Sequence, residues 1–241
     1  MDKLLIIIPF YNVENQIQEC IEGILQQTYQ NFHLVLVNDA STDGTLDIVK
    51  DYLSNPKITL LENEENRGCY YSVNKALYEF KDRDWDYFHY HGSDDVSTLD
   101  RFEKVIEFLQ QDTKMLGCKT TYIRVHYDTK EIAIENGKQH ITTSEGISFI
   151  SRQSFEQLGY YDNTKFSGDT DYWWRLEHYC VLNGYKVGEH REVMYVAYLR
   201  DKGENLTIKH PITSRQRYYK KIQGDIYEMS KINNFYREKF D

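Results

Sequence analysis

Apolar residues in the first half of the chain form short continuous runs, each followed by a stretch with helical spacing. The runs lie at residues 4–8, 33–37, 58–61 and 86–91, and their length is typical of strands buried on both faces. After each run, apolar residues recur every three or four positions, which predicts helices over 13–29, 46–53, 70–80 and 99–109. Strands that alternate with helices in this way predict an α/β, Rossmann-like fold with a mainly parallel sheet and helices on both faces.

The pattern changes after residue 112. Strands are predicted at 115–127, 132–135, 146–151 and 193–199, with a turn at 128–130, and helices at 152–158 and 169–182. This half is therefore mixed rather than strictly alternating. Residues 211–241 carry apolar positions at helical intervals behind a basic segment from Arg215 to Lys221, which predicts a tail of one or two amphipathic helices.

Composition excludes several classes of protein. The 241 residues carry a net charge of -9 with 40% hydrophobic residues, which argues against binding nucleic acid through electrostatics. The apolar start at 4–8 stops at Pro9 and is too short for a signal peptide or a transmembrane span. We expect a cytoplasmic protein whose tail is available for contact with a membrane surface or another subunit. No CxxC pair is present, so neither a disulfide framework nor a zinc site is indicated by the four cysteines Cys20, Cys69, Cys118 and Cys180.

Polar side chains follow three of the predicted strands at the point where each strand ends. Asn12 follows the first and is placed to cap the next helix, residues 38–45 follow the second, and GSDD follows the fourth. Ligands bind at this edge of an α/β sheet, so the carboxylates Asp94 and Asp95 predict a divalent ion that carries a phosphorylated ligand. The competing interpretation is that Ser93 or an aspartate caps a helix. Neither a GxGxxG nor a GxxxxGK phosphate loop occurs, so a different nucleotide site is needed.

These blocks resemble the family 2 glycosyltransferases in order and spacing. They are PFYN, NDASTDGT, NRG, GSDD and SGDTDYWWRL, within a resemblance that covers roughly residues 3 to 207. The resemblance implies the GT-A fold and an inverting enzyme, usually assisted by Mn²⁺ or Mg²⁺. Such an enzyme moves a sugar from a nucleotide diphosphate sugar, with UDP favoured, to a hydroxyl of a glycan or other acceptor. It divides residues 1–210 into a nucleotide-binding half (1–112) and an acceptor half (113–210), followed by the tail (211–241).

The resemblance implies that donor-binding residues lie at the strand ends. Tyr11 is similar to the residue whose ring lies by the donor base, and Asp39 to the aspartate that hydrogen-bonds the base. Arg67 matches a loop position that reaches the diphosphate. A packed aromatic, a helix cap and a surface arginine are the respective alternatives. The full predicted set of nucleotide-sugar contacts is Pro9, Phe10, Tyr11, Asn12, Asp39, Arg67, Ser93, Asp94 and Asp95.

Asp94 and Asp95 are the predicted metal ligands. The usual family form is Asp, any residue, Asp, Asp, and Gly92 stands here in place of its first member. Asp94 aligns with the metal-binding member, while Asp95 holds groups around the metal or contacts the donor ribose. One or two protein carboxylates suffice for Mg²⁺ or Mn²⁺ when phosphates and waters complete the coordination.

Residues 168–171 resemble the family block Glu, Asp, any residue, Asp, with Gly168 in place of the glutamate and Asp169 in the position of the catalytic base. Displacement at an anomeric carbon needs a carboxylate to accept the proton of the acceptor hydroxyl. The competing explanation is that an aspartate is favoured in any first helical turn by the helix dipole. Asp171, Trp173 and Trp174 are the predicted acceptor contacts, and one of the two tryptophans is expected to pack inside.

Two other functions compete with glycosyl transfer. A sugar-phosphate nucleotidyltransferase would share the sheet and the acidic site, but it should carry a glycine-rich loop where this chain has PFYN. A catalytically inactive GT-A-fold protein that binds nucleotide sugars or glycans is the stronger rival, because both acidic motifs depart from the family form, at Gly92 and at Gly168.

Overall fold

The computed structural model describes residues 2–135, 137–164 and 167–199, so the predicted tail at 211–241 lies outside the described residues. The described part contains ten strands and six helices. In chain order they are β1 (Leu4–Phe10), α1 (Ile17–Leu25), β2 (Phe32–Asn38), α2 (Thr45–Lys50), β3 (Ile58–Glu62), α3 (Cys69–Phe80), β4 (Tyr87–Tyr90), β5 (Val96–Ser97), α4 (Arg101–Gln110), β6 (Met115–His126), β7 (Ile134–Glu135), β8 (Lys138–Gln139), β9 (Ile141–Ser151), α5 (Arg152–Leu158), α6 (Gly168–Asn183) and β10 (Lys186–Leu199).

Eight strands form one sheet in the order β3-β2-β1-β4-β9-β6-β10-β5, and β7 and β8 form a separate pair. The first four strands run parallel, β9 runs antiparallel to both β4 and β6, and β10 pairs parallel to β6. The predicted parallel half and mixed half are both confirmed. Because β1, β2 and β4 are parallel neighbours, their carboxyl ends meet at one edge of the sheet.

The sheet is covered by helices on both faces, as predicted. Along β1, the side chains from Leu4 to Phe10 alternate between two separate apolar clusters. Leu4, Ile6 and Ile8 pack in one cluster with residues of α1, α2 and α4. Leu5 and Ile7 pack in the other with residues of α3, α5 and α6. This double burial explains why β1 appears in the sequence as a continuous apolar run.

Pro9 is accommodated in β1 because the neighbouring strand ends before it. The Ile7 carbonyl accepts a hydrogen bond from His91 just beyond β4, and the last β4 residue paired with β1 is Tyr90. Pro9 lies two residues further on, so its missing N–H faces the side where β4 has ended. The proline thus coincides with the opening of the sheet edge.

Some predicted boundaries were wrong. The first helix begins at Ile17 rather than at residue 13, and Asn12 does not cap it, because Asn12 has φ 51° and binds the loop after β2 instead. Strands β9 and β10 begin several residues before their apolar segments, at Ile141 and Lys186. Their polar ends are held by pairing with β6, which local apolar periodicity does not reveal. No helix in the described part of the chain is long and apolar enough to cross a membrane.

Candidate active site

The loops after β1 and β2 are joined at the sheet edge. The Asn12 backbone N–H donates to Ser41 Oγ at 3.2 Å, and the Thr42 N–H donates to Asn12 Oδ1 at 2.8 Å. Tyr11 directly precedes Asn12 and has 45% of its surface exposed. Its ring is therefore accessible to a ligand at this edge. The side chains of Pro9 and Phe10 are buried in β1, and contact between these residues and the donor stays a prediction.

Asp39 is almost completely buried, with 3% of its surface exposed. Its Oδ1 accepts hydrogen bonds from Asn63 Nδ2 at 2.7 Å and from the Arg67 N–H at 2.9 Å, and its Oδ2 accepts from the Gly68 N–H at 2.8 Å. Asp39 thus holds the loop that leads into α3. It does not cap α2, since Asp43 accepts the Thr45 N–H there. A contact between Asp39 and the donor base stays a prediction.

The Arg67 side chain lies at the surface beside this loop. Its Nη1 donates to Glu65 at 2.6 Å, and its guanidinium lies 4.8 Å from the centre of the Tyr71 ring. The backbone is fixed by Asp39, while 40% of the side-chain surface is exposed. The backbone of Arg67 is therefore fixed, and contact between its side chain and a diphosphate stays a prediction.

Asp94 and Asp95 follow β4 at the same edge, and both are half-buried. Asp95 Oδ2 accepts a hydrogen bond from the Tyr195 hydroxyl at 2.8 Å, and Oδ1 accepts from the Tyr198 N–H at 3.0 Å. Burial and the charge of Asp94 raise the pKa of Asp95 to about 8. The Tyr195 hydroxyl also accepts the Gly92 N–H at 3.1 Å, so it ties the turn after β4 to β10.

This carboxylate pair fits a hard divalent cation. Each carboxylate oxygen of Asp95 has a second lone pair beyond its hydrogen bond, and oxygen ligands are what Mg²⁺ and Mn²⁺ prefer. A cation would also relieve the repulsion that raises the pKa of Asp95. Within the described residues, no group of three or more His, Cys, Asp or Glu side chains is arranged to hold a metal. Asp94 and Asp95 would therefore share the ion with phosphate and water oxygens.

Asp169 lies at the start of α6, and its Oδ1 accepts a hydrogen bond from the Tyr70 hydroxyl at 2.9 Å. Its other oxygen, Oδ2, faces the backbone of β9, where a Cβ built on Gly146 would lie only 2.7 Å away. Burial raises the pKa of Asp169, while bonds from Tyr70 and from backbone N–H groups of the first turn oppose the rise. A carboxyl group whose affinity for protons is raised in this way suits a general base.

Tyr90 at the end of β4 connects the two acidic regions. Burial raises its pKa, and the charges of Asp169 and Asp94 both raise it further. Both carboxylates therefore act on one phenol, although 75 residues separate them in the chain. Cys69, which begins α3, responds in the same way to Asp169 and to Asp39. The structure thus brings Asp39, Asp94 and Asp169 to one place at the sheet edge.

Two of the predicted acceptor contacts are buried and cannot contact an acceptor in this conformation. Asp171 is 0% exposed and accepts a hydrogen bond from Arg175 Nε at 3.1 Å, so it stabilises α6. Trp173 is 1% exposed, packs in the core and donates from Nε1 to Glu177 at 2.6 Å. The prediction that one tryptophan packs inside is confirmed for Trp173. Trp174 is half-buried, and its contact with an acceptor stays a prediction.

Four further residues shape the site and were not predicted from the sequence. Asn63 could have been found, because it is a polar residue directly after β3, as Asp39 is after β2. The others carry no comparable signal. Tyr70 and Tyr195 are two of 21 tyrosines, and a glycine such as Gly146 has no side chain to suggest a role.

Comparison with known proteins identifies the family. The model of the family described as "Glycosyl transferase family 2" matches residues 5–176. The putative glycosyltransferase EpsE of Bacillus subtilis (strain 168) is 39% identical over 111 residues, which is 45% of this chain and 39% of that protein. Chondroitin synthase of Pasteurella multocida (strain Pm70) is 25% identical over 245 residues, which is 98% of this chain and 24% of that protein. The chain thus spans well under half the length of either relative.

Solved structures show the same fold. S. aureus TarS 1-349 in complex with UDP-GlcNAc has a TM-score of 0.66 and 20% identity, covering 85% of this chain and 60% of that chain. The mannosyltransferase PcManGT from Pyrobaculum calidifontis, in complex with GDP-Man and Mn²⁺, has a TM-score of 0.67 and 19% identity, covering 99% of this chain and 70% of that chain. The fold is therefore GT-A, and with a family model that matches most of its length, the chain belongs to glycosyl transferase family 2.

Proposed function

We propose that this chain is an inverting glycosyltransferase that uses Asp169 as its general base. The observation that carries the proposal is that the charges of Asp94 and Asp169 both act on Tyr90 at the edge of the sheet, with Asp95 beside Asp94. One acidic region is suited to a cation and diphosphate, and the other to a proton. Inverting transfer needs both functions on opposite sides of one sugar.

The donor is a nucleotide diphosphate sugar, and a UDP-sugar is favoured. Supporting this, TarS has been solved with UDP and with UDP-GlcNAc, and PcManGT with GDP-Man and Mn²⁺. The exposed ring of Tyr11 offers a surface for the base, and the loop held by Asp39 places Arg67 beside it. Asp94 and Asp95 would hold Mn²⁺ or Mg²⁺, which neutralises charge on the departing diphosphate when bound.

The acceptor is a hydroxyl of a glycan or related polymer. Relatives named as a putative teichuronic acid biosynthesis glycosyltransferase and a chondroitin synthase support this class. Asp169 Oδ2 accepts the proton of that hydroxyl while the hydroxyl oxygen attacks the anomeric carbon. The bond to the diphosphate breaks at the same time, so the configuration at that carbon inverts.

The decisive experiment is Asp169→Asn, assayed for donor affinity and for transfer rate. Asparagine keeps the shape but cannot accept the proton, so turnover should fall by roughly 10² to 10⁴, the usual contribution of a general base. Donor affinity should remain as in the wild type. The anomeric configuration of the wild-type product should be the inverse of the donor's.

Each alternative has its own outcome. Equal rates for the wild type and Asp169→Asn would remove Asp169 from the mechanism, because asparagine is nearly as good near a helix N-terminus. A product that retains the donor configuration would overturn the inverting assignment. Donor binding without transfer to any acceptor in a broad glycan panel would favour the inactive binding protein.

A further inference from the structure

We propose that Tyr70 is a positioning residue for Asp169: its hydroxyl holds Oδ1, so that Oδ2, which faces Gly146, is the oxygen that receives the acceptor proton. This inference rests on the proposed role of Asp169 as the base. A carboxylate has two nearly equivalent oxygens and rotates readily, so a base of defined geometry needs one oxygen to be held. The Tyr70 hydroxyl does this by donating to Oδ1 at 2.9 Å.

Tyr70 is itself held firmly in place. It lies in the first turn of α3 with 6% of its surface exposed. Its ring stacks on Tyr161 at 5.7 Å between centres and meets the edge of Tyr90 at 6.4 Å. A Cβ built on Gly168 would lie 3.0 Å from the Tyr70 ring, so the ring rests against the backbone at the start of α6. Its hydroxyl therefore has a defined position relative to Asp169.

The second oxygen lies close to the backbone at Gly146. A Cβ at this position would lie 2.7 Å from Asp169 Oδ2, closer than real Cβ contacts allow. Any other residue at 146 would therefore displace the carboxylate or take the space beside it. Tyr70 on α3 and Gly146 on β9 thus approach the two oxygens of Asp169 from different elements.

The same arrangement favours the ionised form of the base. The titratable groups that face Asp169 are Tyr70 and Cys69 on α3, Tyr90 on β4, Glu145 on β9, Tyr161 before α6 and Asp171 on α6. Burial raises the pKa of Asp169, Glu145 raises it further, and the bond from Tyr70 lowers it. Loss of the Tyr70 hydroxyl would therefore raise the pKa, and Asp169 would become an active base only at higher pH.

The first test is Tyr70→Phe, with kcat and donor KM measured across pH. The acid limb of the rate profile should move to higher pH by about one unit, so that rates well below both pKa values fall roughly tenfold. The plateau at high pH should lie within a few-fold of the wild type, and donor KM should not change. Titration of Asp169 by carboxyl NMR should show the same shift, with no need for activity.

Tyr172→Phe is the matched control. Tyr172 stacks on Tyr161 at 4.6 Å, in the same aromatic group as Tyr70. Its buried hydroxyl has no hydrogen-bond partner within the described residues, so its removal leaves nothing unpaired. The acid limb of this variant should coincide with that of the wild type. A shift of equal size in both variants would mean that repacking moves the limb, and would overturn the role of Tyr70.

The second test is Gly146→Ala, which does not depend on the stability of Tyr70→Phe. The added methyl group should displace Asp169 Oδ2 and lower kcat by roughly 10²-fold, as misplacement of a catalytic group by about 1 Å does. Gly23→Ala is its control, because no heavy atom lies within 4 Å of a Cβ at Gly23. Donor KM should be unchanged in both.

Failure of this inference can be told from failure of the proposed function. If Asp169→Asn is inactive but Tyr70→Phe keeps the wild-type acid limb and the wild-type NMR titration of Asp169, the base stands and Tyr70 does not position it. If Asp169→Asn is fully active, Asp169 is not the base and Tyr70 has no positioning role. Wild-type kcat in Gly146→Ala would also contradict the assignment of Oδ2 as the proton acceptor.

Discussion

Asp95 and Asp169 are two carboxylates held in a similar way at different parts of the site. Each accepts a hydrogen bond from a buried tyrosine hydroxyl, Asp95 from Tyr195 at 2.8 Å and Asp169 from Tyr70 at 2.9 Å. In each case the aspartate belongs to a motif that has lost an acidic residue to glycine. In both acidic regions, a buried tyrosine hydroxyl thus holds one oxygen of an aspartate.

Both glycines are closely surrounded. A Cβ on Gly92 would lie 2.5 Å from Asp95 Oδ2 and 3.0 Å from the Tyr195 hydroxyl, and one on Gly168 would lie 3.0 Å from the Tyr70 ring. A side chain at either position would require these neighbours to move. Glycine at both positions therefore fits the local packing around the two tyrosines.

The difference between the two regions lies in what surrounds each carboxylate. Asp95 accepts a hydrogen bond at each oxygen, from the Tyr195 hydroxyl and from the Tyr198 N–H, and it has Asp94 beside it. Asp169 accepts from Tyr70 at Oδ1 and from backbone N–H groups of the first turn of α6, and its Oδ2 faces the backbone at Gly146. Two adjacent carboxylates suit a cation, whereas a single carboxylate with a raised pKa suits proton transfer.

The largest effect should come from Asp94→Ala, which removes one carboxylate of the proposed metal site. Transfer supported by Mn²⁺ should fall roughly 10³-fold, since a metal ion contributes several kcal/mol of charge stabilisation. A chelator should reduce the wild type to a similar rate and leave the variant unchanged. Asp47→Ala, at an exposed position in α2, is the control and should behave as the wild type. Full activity of Asp94→Ala with and without chelator would remove Asp94 from metal binding.

The next largest effect should be on stability, and it distinguishes the structural role of Asp171 from the proposed catalytic role of Asp169. Arg175→Met would leave the Asp171 carboxylate buried without its partner and should lower the free energy of unfolding by about 3–5 kcal/mol at neutral pH. Turnover of the folded variant well below its melting temperature, and its acid limb, should stay as in the wild type. Lys104→Met, which removes an exposed ion pair, is the control and should change stability little. If the acid limb of the rate profile shifted in Arg175→Met without a loss of stability, Asp171 would instead take part in the reaction.

The loss of stability in Arg175→Met should depend on pH in a defined direction. Burial raises the pKa of Asp171 to about 6, and Arg175 opposes the rise. An aspartate in the unfolded chain has a pKa of ~4. Because the pKa of Asp171 is higher in the folded protein, the stabilisation from Asp171 is complete below pH ~4 and is lost as the pH rises through about 6. Without Arg175 the folded pKa lies higher, so the stability deficit of Arg175→Met should grow above pH 6. Urea unfolding across pH measures it.

The smallest effect should come from Tyr195→Phe. Loss of this hydroxyl frees Asp95 Oδ2 and the Gly92 N–H, so Mn²⁺ affinity should weaken roughly tenfold, as for other residues that orient metal ligands. The acid limb should not move, in contrast to Tyr70→Phe. Tyr122→Phe is the control, since that hydroxyl bonds to His140 instead. Unchanged Mn²⁺ affinity in calorimetry would show that the hydroxyl only ties β10 to the turn.

Much of the site could be predicted because it lies where strands end. The apolar runs locate β1, β2 and β4, and parallel pairing then brings Tyr11, Asp39 and Asp94 to one edge. The motifs did not reveal that the side chains of Phe10 and Trp173 point into the core. A motif records which residues are adjacent in the chain, while exposure depends on which face of a strand or helix is covered.

The sequence by itself determined the alternating half, the strand ends and the identity of the carboxylates, because apolar periodicity is a local property of the chain. Only the tertiary structure decided which groups hold the carboxylate oxygens. Tyr70 lies 99 residues from Asp169, and Tyr195 lies 100 residues from Asp95. These partners are selected by the packing of α3 against α6 and by the return of β10 to the sheet edge, and no spacing along the chain encodes such contacts.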